Sequence, residues 1–559
     1  MRWWMRLSMT VVVAAILAGA VPGRPAVAQS GVPSRDLTTY GNINVVKTDG
    51  RLAAWVVNDT DLLVADIATG QVTSLDSNNR FSSEFVENLA VANGRVVWRH
   101  DSELRMYDLA SGNTTTVRAT NTGALDLYGD LLVWLEREGA HPNAVDSVWM
   151  RDISTLEPAT RLFSFPGGFY GVWRIRTNGT FAVWAEGTGQ SRNVGLTYDL
   201  YAAALDGSAV PALLDTGPCL SRKGDFALDS TAVWYPDERI GGLCRQPFPG
   251  AATVISDGIF LWTNATQISG AYLAGVQFSP GPYTSSSDYY VEMWMYDTRS
   301  KSKWTVGPRV FNAQKSPRIA IGGNALVWSD HSGPEPMIHI RPIGAVTPAA
   351  PRSAADPLVQ GRTYFAASQH SLGGRFEQYW GRNGGLAVFG YPLTEEFRQQ
   401  NPDTGVTYEV QYLERQRYEY HPELAGTPYE VLLGRLGAEL LEQSGRDWRS
   451  EGDDQPGAQP LPGECQSFAT TNRSVCGAFL GYWRSHGLDL GQRGVSYDES
   501  LALFGYPLTA PHLETNPDGD TVLTQWFERA RFEWHPGNPA EYQVLLGRLA
   551  AEQLPAFGW

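Results

Sequence analysis

The chain has 559 residues, 43% of them hydrophobic, with 58 Gly, 34 Pro and 19 Trp and a formal net charge of −15. That length exceeds one ordinary domain. The acidic balance, with a pI near 5.1, excludes a nucleic-acid partner, whose phosphates need a basic surface.

Residues 1–28 read as a secretory signal peptide. Arg2 and Arg6 precede a mostly apolar run over residues 8–22, and Ala26-Val27-Ala28 supplies the small-x-small cleavage site. A retained anchor fits less well, because the run is short and Pro22, Gly23 and Arg24 end it. No Cys lies near the cut for a lipid anchor, and no later stretch is long and apolar enough to form a transmembrane segment. The expected location is extracytoplasmic, secreted or cell-surface associated.

From residue 36 to 344 one phrase recurs: a Gly turn or similar polar turn, an apolar run, then Trp. It ends at Trp55, Trp98, Trp134, Trp184, Trp234, Trp262 and Trp328. These seven tryptophans span 273 residues, with gaps from 28 to 66. A second strand-like segment follows most of them, as in LRMYDLASG from Leu104 and MWMYDTRS from Met293. Several short strands per unit of roughly 40–50 residues mark a β-propeller. Blades stack because a lone blade cannot bury both faces of its sheet. The spacing predicts seven blades, with six as the alternative. The tryptophans could line a carbohydrate groove, but the continuous apolar runs before them favour inter-blade core. This region resembles the TolB-like propellers, relatives of the WD-repeat group.

Residues 345–358 (AVTPAAPRSAADPL) read as a Pro/Ala-rich linker. Beyond them a longer repeat begins. FGYPLT at Phe389 returns at Phe504, VQYLERQRYEYHP at Val410 returns as TQWFERARFEWHP at Thr524, and YEVLLGRLGAE at Tyr429 returns as YQVLLGRLAAE at Tyr542. This is a tandem duplication: unit one over 359–443, a polar loop over 444–463, unit two over 464–559. Phe376, Tyr379 and Trp380, like Phe479, Tyr482 and Trp483, have the spacing of one helix face. The ERxRxExHP segment alternates like a strand, and VLLGRLGAEL like a closing helix. The fold class is therefore mostly β: a propeller followed by a tandem α+β repeat module. Through Phe389-Gly390-Tyr391-Pro392 and Phe504-Gly505-Tyr506-Pro507 the module resembles the LGFP repeats of secreted bacterial proteins. That resemblance implies attachment to the cell envelope.

Four cysteines in an oxidising compartment allow three pairings. The local pairs Cys219–Cys244 and Cys465–Cys476 are expected; zinc is disfavoured, with no CxxC and no His at ligand spacing. The candidate ligand-binding residues are Arg417, Glu419 and His421 with their copies Arg531, Glu533 and His535. Their duplication favours structure or binding over catalysis, and Arg415 and Arg417 would repel a metal ion. Ser300 and Lys303 form an isolated SxxK without its companion motifs. No HExxH, GxSxG or phosphate loop is present, and no cofactor is expected. The function that fits is a secreted, non-catalytic binding or adhesion protein, with the propeller as interaction platform and the repeats taking an envelope or extracellular glycan; a surface protein is the other partner class. The alternative is a secreted propeller hydrolase or lyase acting on carbohydrate, with its catalytic residues in loops 136–146 and 265–290, which carry few acids. A purely structural surface protein is a third reading.

Overall fold

The computed structural model describes residues 32–559 apart from residues 80, 82–87, 120–121, 140–142, 156, 167–171, 192–194, 209–210, 215–225, 238–241, 249–252, 257–262, 281–288, 312–316, 357–358 and 452–459. Residues 1–28, over which a signal peptide is expected, lie outside the described residues.

Strands Ile43–Thr48, Leu52–Val57, Asp61–Asp66 and Val72–Asp76 form one four-stranded antiparallel sheet in sequence order. The same order repeats over residues 89–119, 122–166, 172–213, 227–256 and 263–311. The seventh sheet is composite. Ile319–Gly322, Ala325–Asp330 and Met337–Pro342 supply three strands, and Arg35–Thr38 pairs with the last as the outer strand. Seven sheets with innermost strands packed on their neighbours make a seven-bladed propeller, closed by its own N-terminal strand. A reading by repeats misses that closure, because the closing strand stands some 300 residues from its blade.

Trp55, Trp98, Trp134, Trp184, Trp234 and Trp328 all lie on the second strand of their blades and are buried. Most of the ring N–H groups find partners: Trp55 donates to Thr39 (3.0 Å), Trp98 to Asp76 (2.7 Å), Trp134 to Glu136 (2.9 Å) and Trp234 to Asp229 (2.6 Å). They are core, as the apolar runs imply. Blade six departs from the expectation. Its second strand is Tyr272–Pro280, and Gly275 stands at the Trp position, five residues after Gly270. Trp262, expected to mark this blade, lies outside the described residues and precedes its first strand.

The two halves are not joined by a free linker. Residues 343–346 form a single 3-10 turn, and Thr347 and Ala350 are buried. Glu395 N–H donates to the Pro348 carbonyl (2.9 Å), and Tyr364 O–H to that of Arg352 (2.9 Å). Blade six continues directly into the repeat module. Its outer strand Ser302–Phe311 pairs antiparallel with Phe397–Gln400, giving one eight-stranded sheet across the boundary.

Each repeat unit packs a helix pair on a four-stranded meander. The helices are Gly374–Arg382 and Gly385–Phe389 in the first, Gly477–Ser485 and Tyr497–Phe504 in the second. Phe376 and Tyr379, and Phe479 and Trp483, are buried, as their spacing requires. The ERxRxExHP segment is not one strand. Thr407–Tyr412 and Arg417–Tyr420 form a hairpin with Tyr412 opposite Arg417, and Glu414 and Arg415 lie in its turn. The FGYP glycines explain that turn. Gly390 (φ 80°) and Gly505 (φ 74°) take left-handed conformations and pass close to it. The next amides, of Tyr391 and Tyr506, donate to Glu414 and Glu528 at 3.1 Å each.

Cys465 and Cys476 stand opposite each other in a two-stranded ribbon and are disulfide-bonded. Cys244 is also disulfide-bonded; Cys219 lies outside the described residues.

Candidate functional site

The predicted site residues come together as two copies of one buried ion cluster. In the first unit Arg417 grips Glu419 through Nε (2.8 Å) and Nη2 (2.6 Å), and Glu439 through Nη1 (2.8 Å) and Nη2 (2.7 Å). In the second, Arg531 holds Glu533 (2.9 and 2.7 Å) and Glu552 (2.7 and 2.8 Å) in the same way. Asn401 and Asn516 donate to the remaining oxygens of Glu419 (2.8 Å) and Glu533 (2.9 Å). The glycine of each LLGR motif makes room: a Cβ on Gly434 or Gly547 would lie 2.8 or 2.7 Å from the guanidinium Nε. The closing-helix acids Glu439 and Glu552 are the members that the alternating pattern did not single out. Their signal was present, as a duplicated Glu four residues after each Arg435 or Arg548.

The histidines sit beside these clusters. His421 Nδ1 meets Glu423 at 2.8 Å and Nε2 lies 3.7 Å from Glu419; His535 Nε2 lies 3.5 Å from Glu533. His421 packs against Tyr408 with 4.0 Å between ring centres and the rings tilted by 32°. Burial alone would raise the Glu419 carboxyl, but the Arg417 charge, hydrogen bonds from Arg417 and Asn401, and the nearby His421 outweigh it and hold it at about 2. The carboxylates of each cluster are paired with its arginine within the protein.

The two copies face different surroundings, and the reason is an imperfect twofold relation between the units. Gly437 and Ala438 N–H donate to the Glu528 carbonyl (3.0 and 3.2 Å), and the equivalent Ala551 N–H donates back to the Glu414 carbonyl (3.3 Å). Such reciprocity defines an isologous contact. On one side the contact is tight. Arg529 Nε donates to the Leu433 carbonyl (3.1 Å) and Arg435 reaches Glu528 (3.3 Å). Gln553 donates to Glu439 (2.9 Å), while Phe557 and Trp559 cover Tyr412 and Phe397.

On the other side, among the described residues, these contacts are not repeated. Arg415 Nε, the counterpart of Arg529 Nε, has no hydrogen-bond partner. Arg548, the counterpart of Arg435, reaches only Asp518 of its own unit (2.9 Å). Ser444 and Arg446 occupy the places of Phe557 and Trp559. The result is a cleft of about 1490 Å³ between the units, lined among others by Arg415, Arg446, Trp526, Arg531, Tyr542 and Arg548.

Glu514 anchors one wall of the cleft. It replaces Gln399 of the first unit, as Trp526 replaces Tyr412. Trp526 Nε1 donates to it (2.9 and 3.0 Å), Arg446 Nη1 reaches it at 2.7 Å, and His512 Nε2 contacts it directly. Burial pushes its carboxyl up, but these three donors pull it down to about 2. The same carboxylate raises His512. No group of His, Cys, Asp and Glu among the described residues could hold a metal ion.

No protein-family model matches the chain, and no curated protein does. Solved structures with some likeness are β-propeller proteins. The β-propeller domain of the Trilobed protease from Pyrococcus furiosus is 11% identical, with a TM-score of 0.36 over 54% of this chain and 94% of that one. The tricorn protease is 12% identical, with a TM-score of 0.39 over 56% of this chain and 34% of that one. The computationally designed Ika8 protein is 12% identical, at 0.35 over 55% and 97%. Likeness this distant carries no argument about function; the propeller is defined by the seven sheets themselves.

Proposed function

We propose that this is a secreted, non-catalytic binding protein that attaches to an envelope or extracellular polysaccharide through the cleft of its second repeat unit. The propeller, in this reading TolB-like, serves as the interaction platform, and the module plays the part implied by its LGFP-like turns. One observation carries the reading: the second unit opens a cleft where the first is filled by Phe557 and Trp559. The cleft has the mixture that sugars need. The exposed Tyr542 offers a ring face, and fixed guanidinium and carboxylate groups offer hydrogen bonds to hydroxyls. Arg446, Arg531 and Arg548 each hold a carboxylate of the protein, which suits an uncharged ligand better than a polyanion.

The test uses the full secreted chain against insoluble cell-envelope polysaccharides and a glycan array. Tyr542→Ala should weaken binding at least tenfold with unchanged melting. Tyr429→Ala, at the matching position of the closed copy, should leave binding intact. Absence of binding by the parent chain, or equal losses in the two variants, would sink the assignment.

A further inference from the structure

The second unit ends its sheet on His512–Thr515, which pairs on one side only, with Thr521–Trp526. The equivalent strand of the first unit, Phe397–Gln400, is covered: it pairs antiparallel with blade six, Arg398 opposite Lys303 and Gln399 opposite Ser302. Gln400 N–H donates there to the Lys301 carbonyl (3.2 Å). This bond establishes which backbone groups point outward, since alternate residues of a strand face the same neighbour. Transferred to the second unit, it places the N–H and C=O of Leu513 and Thr515 on the open edge. Asn516 N–H turns the other way, to the Asp520 carbonyl at 2.9 Å. Leu513 is 55% exposed, in the position that Arg398 takes in the first unit. Among the described residues no strand pairs with this edge.

We propose that the His512–Thr515 edge pairs antiparallel with the same edge of a second copy of this chain, with the twofold axis at Leu513. The register follows from the side chains. Centred on Leu513, it sets Leu513 against Leu513 of the partner and His512 against Glu514 in both directions. A shift of two residues toward the C-terminus would oppose the two Glu514 carboxylates, and a shift of one would turn the faces over. The strand that docks on the first unit is not a suitable occupant here. Gln399 holds it by donating to the Ser300 carbonyl (3.2 Å), and a carboxylate at Glu514 cannot donate. Pro511, which lacks an N–H, limits the ladder to a few residues, so the pairing is reversible and concentration-dependent. The proposal is independent of the glycan assignment.

Sedimentation velocity of the full chain over a concentration series tests it. The parent chain should shift from monomer to dimer, and Leu513→Lys should stay monomeric with unchanged melting. On mild oxidation Leu513→Cys should cross-link, and Leu386→Cys, an exposed control, should not. Hydrogen exchange at the Leu513 and Thr515 amides should slow as concentration rises. A chain monomeric throughout, a dimer that survives Leu513→Lys, or equal cross-linking of the two cysteine variants would overturn the proposal.

Discussion

At the scale of single residues, Arg417 and Arg531 are both buried with matching partners, but the carboxylates they hold differ in exposure to water, Glu439 at 10% and Glu552 at 20%. Arg417 is 2% exposed and lies under the C-terminal segment. Removing it leaves Glu419 and Glu439 buried without a counter-charge, so Arg417→Ala should cost about 3–5 kcal/mol. Arg531→Ala should cost less, because Glu552 is 20% exposed and opens to the cleft. Denaturant melts of the two variants check the order, and equal losses would contradict the difference in solvation. The pH response has a definite sign. Glu419 and Glu514 have folded-state values of about 2, below those of an unfolded carboxylate. Their stabilisation is complete above the unfolded value near 4.5 and is lost as pH falls toward 2. Thermal melts of the parent chain should therefore drop steeply through that window. The fall should be shallower in Glu514→Gln, which has no carboxyl to protonate.

At the scale of elements, the closest approach in the module is backbone on backbone. A Cβ on Gly437 would fall 2.0 Å from the Phe527 carbonyl oxygen. Neither partner is a flexible side chain, so Gly437→Ala should push the units apart and cost about 1–3 kcal/mol; an unchanged melting temperature would refute the contact. The limits of the sequence show at this level too. Apolar runs ending in Trp revealed six second strands, because burial on both faces demands continuous hydrophobicity. Blade six stayed hidden where Gly275 replaces the ring and Trp262 offered a false mark. Alternation persists through the tight turn at Glu414-Arg415, so the pattern of residues does not distinguish that hairpin from one strand. The buried sets Arg417/Glu419 and Arg531/Glu533 were legible as residues. The cleft was not, since it depends on Ser444 and Arg446 facing one copy while Phe557 and Trp559 face the other. No spacing in the chain encodes that twofold relation.

At the scale of the whole molecule, the composition change at 345–358 suggests two bodies that proteolysis would separate. The contacts favour a different outcome. Blade six and the first repeat unit share an eight-stranded sheet. One apolar cluster runs from Met293, Trp304 and Trp328 of the propeller through Phe397, Tyr408 and Tyr412 to Leu549 and Phe557 of the module. Trp559 stands at the junction, edge-on to Trp304 at 5.6 Å and to Phe397 at 5.2 Å between ring centres. Breaking the chain in the segment leaves all of this in place, and no covalent bond is needed to keep a buried apolar interface closed. A chain nicked within residues 345–358 should therefore elute as one species in native gel filtration and separate only in denaturant. Trp559→Ala removes the ring that touches both halves, and should let the nicked fragments part at lower denaturant than in the parent. Two fragments that separate without denaturant would show that the shared sheet does not hold the halves together.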